Sequence, residues 1–211
     1  MQQIIVVEGI SNCGKTTLVE KFKGRDDFII LPEAIRYLER RLNLKKEQIM
    51  HEPKTYIEEL LNQELLFDIE FEKIFDANKY LNLGKNVLID KSSFAIMATA
   101  YAFEKNKDFF GGYALSSRYF NQLIDKVYRH GLIFPNKILL LDVNFETSQL
   151  RSKNRLNKLA PLWIDKKIMD DQRKVLTKLV KEVKNHLYLD TSYMTIQEVY
   201  ELATAFIEQE V

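Results

Sequence analysis

The segment Gly9-Ile10-Ser11-Asn12-Cys13-Gly14-Lys15-Thr16 follows the pattern G-x-x-x-x-G-K-[ST]. Two glycines at that spacing let the backbone turn so that successive N–H groups point inward, where phosphate oxygens can accept from them. Lys15 is then placed to reach the β and γ phosphates of a nucleoside triphosphate, and the Thr16 hydroxyl becomes a ligand for Mg²⁺. The chemistry expected is binding of ATP and its metal by Gly9, Ser11, Asn12, Cys13, Gly14, Lys15, Thr16 and Thr17. The plainer alternative is a glycine turn that happens to precede a lysine; such a set arises by accident in on the order of one chain in a hundred or fewer. Cys13 reads as a small tolerated residue rather than a catalytic thiol, since no histidine is obviously partnered to it.

A phosphate loop needs a strand before it and a helix after it, and the sequence supplies Gln3–Glu8 and Thr16–Lys23. Beyond it, short apolar runs alternate with longer segments of helical periodicity, which predicts an α/β fold with a mainly parallel sheet. The further candidate strands are Asp27–Leu31, Asn86–Asp90, Lys137–Val143 and His186–Asp190. Helices are expected over Glu52–Leu83, closed by Gly84, over Asp165–Val183, and in a last stripe from Ile196 to Ile207. The last two read as sheet-covering helices without a functional role. Lys105–Ser117, with Phe109-Phe110-Gly111-Gly112-Tyr113, reads as a mobile loop whose aromatics stack on a base or seal a helix junction.

In open parallel sheets ligands bind past the C-terminal strand ends, and three further groups of residues fall there. Glu33 follows the second strand and is placed to accept a proton from the acceptor hydroxyl or to fix a sugar, with Arg36 nearby; alternatively the two form a helix-surface pair. Asp90-Lys91-Ser92-Ser93 ends the third strand, so that Asp90 suits metal holding or positioning of the attacking hydroxyl, while Ser92 also suits a helix N-cap for Phe94–Phe103. After the fourth strand, a helix starting near Phe145 carries Arg151, Lys153, Arg155 and Lys158 with no acid between them. Arg151 and Arg155, four apart, share a helical face and suit a cationic lid that neutralises a transferring phosphoryl group; the alternative is a solvated basic face.

The 211 residues carry 31 Lys+Arg against 30 Asp+Glu, a net charge of +1, which argues against a nucleic acid polymer as partner. One cysteine excludes an internal disulfide, no run reaches the length of a membrane span, and no signal peptide is apparent, so a cytoplasmic protein with no membrane association is expected. His51, His130 and His186 lack ligand spacing, and no zinc site is expected.

The set EGISNCGKTT, LPEAIRYLE, LIDKSSFAIMATAYAFE, LLLDVNFETSQLRSKNR and LDTS resembles the P-loop nucleoside and nucleotide kinase superfamily, in particular thymidylate kinase-like and deoxynucleoside kinase-like proteins. The resemblance runs in order through almost the whole chain. It implies a three-layer α/β sandwich with a five-stranded sheet of order 2-3-1-4-5, one kinase domain over 1–211, and a lid near 150–162. It also implies an acceptor-binding role for Glu33, a strand-end role for Asp90, Lys91 and Ser92, an R-x-x-x-R lid at Arg151 and Arg155, an adenine-side loop near Asp190-Thr191-Ser192, and the possibility of a homodimer. Lys91 stands where the family has arginine, replacing a bidentate fork by a point charge. The activity expected is ATP- and Mg²⁺-dependent phosphoryl transfer to a small nucleoside or nucleoside monophosphate, with Lys15, Glu33, Asp90, Arg151 and Arg155 as the catalytic set. Glu33, Arg36, Lys91 and Ser92 are expected on the acceptor, and Thr16 and Asp90 on the metal. The alternatives are a P-loop switch or regulatory ATPase, or a kinase of another small metabolite.

Overall fold

Ile4, Ile5, Val6 and Val7 are apolar at consecutive positions, so a strand built from them must be covered on both faces. In the computed structural model, which describes residues 2–45, 49, 52–155 and 159–209, all four are at most 1% exposed. They belong to β1 (Ile4–Gly9), the middle strand of an all-parallel sheet with β2 (Phe28–Leu31), β3 (Asn86–Asp90), β4 (Lys137–Asp142) and β5 (Asn185–Asp190). The order is β2-β3-β1-β4-β5. Val87, Leu88 and Ile89 on one side of β1 and Ile138 to Leu141 on the other complete a continuous buried core.

The helices are α1 (Lys15–Phe22), α2 (Ala34–Leu42), α3 (Tyr56–Asn82), α4 (Ser93–Asn106), α5 (Gly112–Arg129), α6 (Phe145–Lys153), α7 (Lys166–Lys181) and α8 (Ile196–Glu208), with a short 3₁₀ turn at Pro161–Ile164. Local chemistry sets several starts. Thr55 Oγ1 accepts from the Glu58 amide at 3.2 Å to begin α3, Asn144 Oδ1 accepts from Thr147 at 2.7 Å to begin α6, and Thr195 with Glu198 forms a capping box on α8. The long apolar segment expected over Glu52–Leu83 is one helix of 27 residues. It stops before Gly84, whose φ of +78° the helix cannot continue through. α1 packs with α8, whereas α3, α4, α5 and α7 pack among themselves, giving two helical layers around the sheet. None of the helices among the described residues is long and apolar enough to cross a membrane.

The stretch expected as a mobile loop at Lys105–Ser117 is instead a tight junction, because α4 extends to Asn106 and α5 begins at Gly112. Phe109 is buried against Phe103 and Tyr56, with ring centroids 6.2 and 6.3 Å away, and Tyr113 meets Tyr101 edge-on at 5.3 Å. These aromatics seal the joint between helices rather than awaiting a base. Phe110 alone of the group is largely exposed.

At the end of β1 the sheet allows no side chain. A Cβ on Gly9 would lie 2.1 Å from the Leu141 carbonyl oxygen, and φ is +146°. Leu141 sits in fully buried β4 and has nowhere to move. Gly9→Ala is therefore expected to cost at least about 3 kcal/mol of folding free energy, measured by urea denaturation. A loss below about 1 kcal/mol would show that the sheet edge yields where the packing says it cannot.

Candidate active site

The chain leaves β1 through left-handed backbone at Asn12 (φ 62°) and Gly14 (φ 100°), the latter starting α1. Asparagine tolerates that conformation better than most side-chain-bearing residues, and here its amide is also used. Asn12 Nδ2 lies 3.2 Å from both the carbonyl and the hydroxyl of Ser148 on α6. Thr191 Oγ1 lies 2.9 Å from the Cys13 carbonyl oxygen, tying the loop to the turn after β5. Lys15 is buried, and its Nζ donates at 2.7 Å to the carbonyls of Gly9 and Ile10. Cys13 is fully buried with its Sγ 3.4 Å from Lys15 Nζ. Thr16 and Thr17 are exposed in the first turn of α1.

The loop opens into a cleft of about 890 Å³. Its wall holds Gly9 to Leu18, Glu33, Lys91 and Ser92 just past the ends of β2 and β3, and an apolar group that includes Leu38, Leu66, Phe103 and Trp163. Two helices read from sequence as plain sheet cover also contribute: α7 supplies Gln172 and Leu176, and α8 supplies Ile196 and Val199. Their apolar stripes cover the sheet and floor the cleft together.

The acceptor-side residues separate. Glu33 Oε1 pairs with Lys91 Nζ at 3.0 Å across the ends of β2 and β3. Partial burial works against the Lys91 ammonium, but Glu33 and Asp90 outweigh it and hold its pKa above the usual lysine value. Asp90 is buried behind the wall rather than on it, and its Oδ1 has no hydrogen-bond partner among the described residues. Burial first, and the negative charge of Glu33 second, push its pKa up, with Lys91, Lys15 and Lys73 pulling partly back. Arg36 departs from the expected arrangement: its guanidinium donates to Glu39 at 2.6 Å, one turn along α2, and it is not part of the cleft wall. The i, i+3 pair made by Arg36 is with Glu39, because Glu33 is taken up by Lys91. Ser92 caps α4 by accepting from Phe94 at 3.3 Å.

The cationic segment also differs in detail. α6 ends at Lys153, so Arg155 lies past the helix and does not share a helical face with Arg151. Both nevertheless reach the same loop residue, Arg151 donating to the Asn12 carbonyl at 3.1 Å and Arg155 to Asn12 Oδ1 at 3.3 Å. Arg151 also donates to the Thr191 carbonyl at 2.6 Å. Lys158 and His51 lie outside the described residues. His130 and His186 each place Nδ1 2.7 Å from a nearby backbone carbonyl.

Several buried polar groups escaped the sequence reading. Glu8, fully buried at the end of β1, accepts through Oε1 from the Ser92 amide at 2.7 Å and the Ser92 hydroxyl at 2.6 Å, leaving Oε2 without a partner among the described residues. Glu70 and Lys73 on α3 form a buried ion pair at 2.7 Å. Glu59 accepts from Gln63 at 2.9 Å in the cleft wall. A charged residue ending an apolar strand was a legible signal for Glu8; an acid and a base three apart on a helix looks the same whether buried or solvated. No group of three or more His, Cys, Asp or Glu suited to a metal occurs among the described residues.

The fold is that of P-loop nucleotide kinase-like proteins. A solved thymidylate kinase from Candida albicans matches with a TM-score of 0.70 over 98% of this chain and 91% of that one, at 14% sequence identity. No protein-family model matches the sequence, and no curated protein matches it by sequence.

Burial raises the pKa of Glu8 from 4.5 to about 7, and that of Glu59 likewise, so between those values the folded chain holds protons that the unfolded chain releases. The stability they contribute is complete below pH 4.5 and is lost as pH rises through 7. Glu8→Gln keeps an oxygen for Ser92 and removes the titration. It should match the parent at pH 5 and exceed it at pH 8 by roughly 2–3 kcal/mol in urea denaturation. Equal loss of stability at both pH values would contradict the assignment.

Proposed function

We propose that the protein is an ATP-dependent kinase that transfers the γ-phosphate to a nucleoside or nucleoside monophosphate. The observation that carries this reading is the continuity of the cleft. The loop with Lys15 and Thr16 shares one cleft of about 890 Å³ with Glu33, Lys91 and a group of apolar side chains, which supports room for a second molecule beside a triphosphate. A nucleotide switch needs no such room. Lys15 and the loop amides would hold the triphosphate, and Arg151 and Arg155, anchored on Asn12, would stand over its charge.

Thr16 and Asp90 are hard oxygen donors of the kind that hold Mg²⁺, and Asp90 Oδ1 is a buried acceptor lacking a donor among the described residues; set behind the wall, Asp90 would reach the ion through water. When bound, the metal would neutralise phosphate charge. Glu33 would orient the acceptor hydroxyl and receive its proton, with Lys91 holding the carboxylate in place. The reaction is then a matter of positioning and electrostatics within the cleft.

The test is acceptor-dependent ADP release by purified protein against nucleosides, deoxynucleosides and their monophosphates. Turnover should require one of these acceptors, and Lys15→Ala should lower kcat/KM by about 1,000-fold or more. ATP hydrolysis that ignores every acceptor would favour a regulatory ATPase, and full activity in Lys15→Ala would remove the kinase reading.

A further inference from the structure

Between β3 and α4 the chain passes through Lys91-Ser92-Ser93, and Lys91 adopts a left-handed backbone with φ of 59°. For a residue with a long side chain this costs roughly 1–2 kcal/mol, so the surroundings must enforce it. They do so with buried polar side chains. The Lys91 carbonyl accepts from Lys73 Nζ at 2.7 Å and the Ser92 amide donates to Glu8 at 2.7 Å, while the Ser93 amide faces Glu70, the partner of Lys73. Two consecutive residues of the turn are thus held through their backbone by different buried ionisable side chains, one from α3 and one from the strand that carries the phosphate loop.

Lys73 and Glu70 bond each other as well, at 2.7 Å, with side chains 0% and 4% exposed. A buried pair of this kind gains little stability over well-packed apolar residues, because desolvating two ions costs about what their attraction returns. Its effect here is on geometry: charge-assisted bonds are short and directional, and they fix the turn from two sides. The side chain that emerges from the turn is Lys91, whose Nζ meets Glu33 at 3.0 Å across the cleft. Glu8 lies next to Gly9, so one residue joins the turn to the phosphate loop.

We propose that Glu8, Glu70 and Lys73 are positioning residues, which hold the Lys91-Ser92-Ser93 turn so that Lys91 is presented to Glu33 and the phosphate acceptor in register with the phosphate loop. The proposal rests on the kinase reading above, but its geometric half can be read without turnover. The direct measurement is amide hydrogen exchange. Glu8→Ala and Lys73→Met should each speed exchange at Ser92 and Ser93 by about tenfold or more, leaving the Leu18 amide of α1 unchanged.

The kinetic half is a separation of parameters. Glu8→Ala and Lys73→Met should lower kcat/KM for the acceptor by about 100-fold while changing the KM for ATP less than about threefold. Glu8→Gln, which keeps the oxygen that Ser92 bonds, should restore most of the acceptor kinetics, and Glu70→Gln should fall between. Because Glu8→Gln is also the more stable variant, the kinetics are compared only where circular dichroism shows every variant fully folded, so that rescue by glutamine but not alanine reports held geometry. If Glu8→Ala or Lys73→Met do not fold, Glu70→Gln, expected to be impaired, is compared with Glu8→Gln, expected near the parent. Unchanged exchange at Ser92 and Ser93 overturns the proposal, as does a parallel fall in ATP and acceptor parameters. Absence of turnover in the parent protein with faster exchange in the variants would instead overturn the kinase reading and leave the turn as assigned.

Discussion

β1 and β4 lie so close at their C-terminal ends that nothing larger than hydrogen fits between Gly9 and the Leu141 carbonyl. From that contact much of the site follows. The chain must leave the sheet at once, and it does so with the Gly9 and Ile10 carbonyls turned toward Lys15 and, at left-handed Asn12, a side chain turned toward α6. The same parallel packing brings the ends of β2 and β3 to the edge where β1 ends, so Glu33 and Lys91 stand at one opening, with Asp90 behind them, without any long-range folding of loops. Close packing of three strands thereby does what a binding site would otherwise ask of flexible segments.

The charge arrangement around the cleft is uneven in depth rather than in amount. Pairs at the surface, such as Arg36 with Glu39, change little. Those beneath it, Glu8 with Ser92 and Lys73 with Glu70, act where the dielectric is low and each bond is strong. The near-neutral total of 31 basic and 30 acidic residues conceals this layering. Lys15, Arg151 and Arg155 gather at the loop between β1 and α1, whereas Glu33, Glu59 and Glu70 contribute elsewhere to the wall of the same cleft.

Much of the fold was legible because the strands are uniform apolar runs bounded by polar residues, and the sheet order came with the resemblance carried by the loop and the strand ends. Strand boundaries moved by no more than a residue at either end, as at Gln3–Glu8 against Ile4–Gly9. α5 was not read, because the glycines at 111 and 112 suggested a loop, whereas Gly111 supplies the left-handed N-cap and Gly112 the first turn of a helix. Glu33 and Lys91 line one cleft because strand ends place them there, while Arg151 and Arg155, expected on a shared helical face, line it from a helix end and the residues past it. Arg36 left it because α2 offers Glu39 one turn away, a competition that spacing alone does not rank. The buried Glu70 and Lys73 were illegible for a related reason: whether a charged pair on a long helix faces water depends on which strand it crosses, and that is a tertiary fact.

The phosphate loop is fastened to partners far along the chain: Asn12 to Ser148 and Arg151, and Cys13 to Thr191. During synthesis from the N-terminus, the loop residues emerge first and their fastenings last. A nascent chain that ends within α5 already contains β1, β2 and β3, yet it has none of the groups that tie down Asn12 and Cys13. The loop and its fastenings are thus completed only as the last strand and the turn after it dock, so the oldest part of the polypeptide acquires its shape from the youngest.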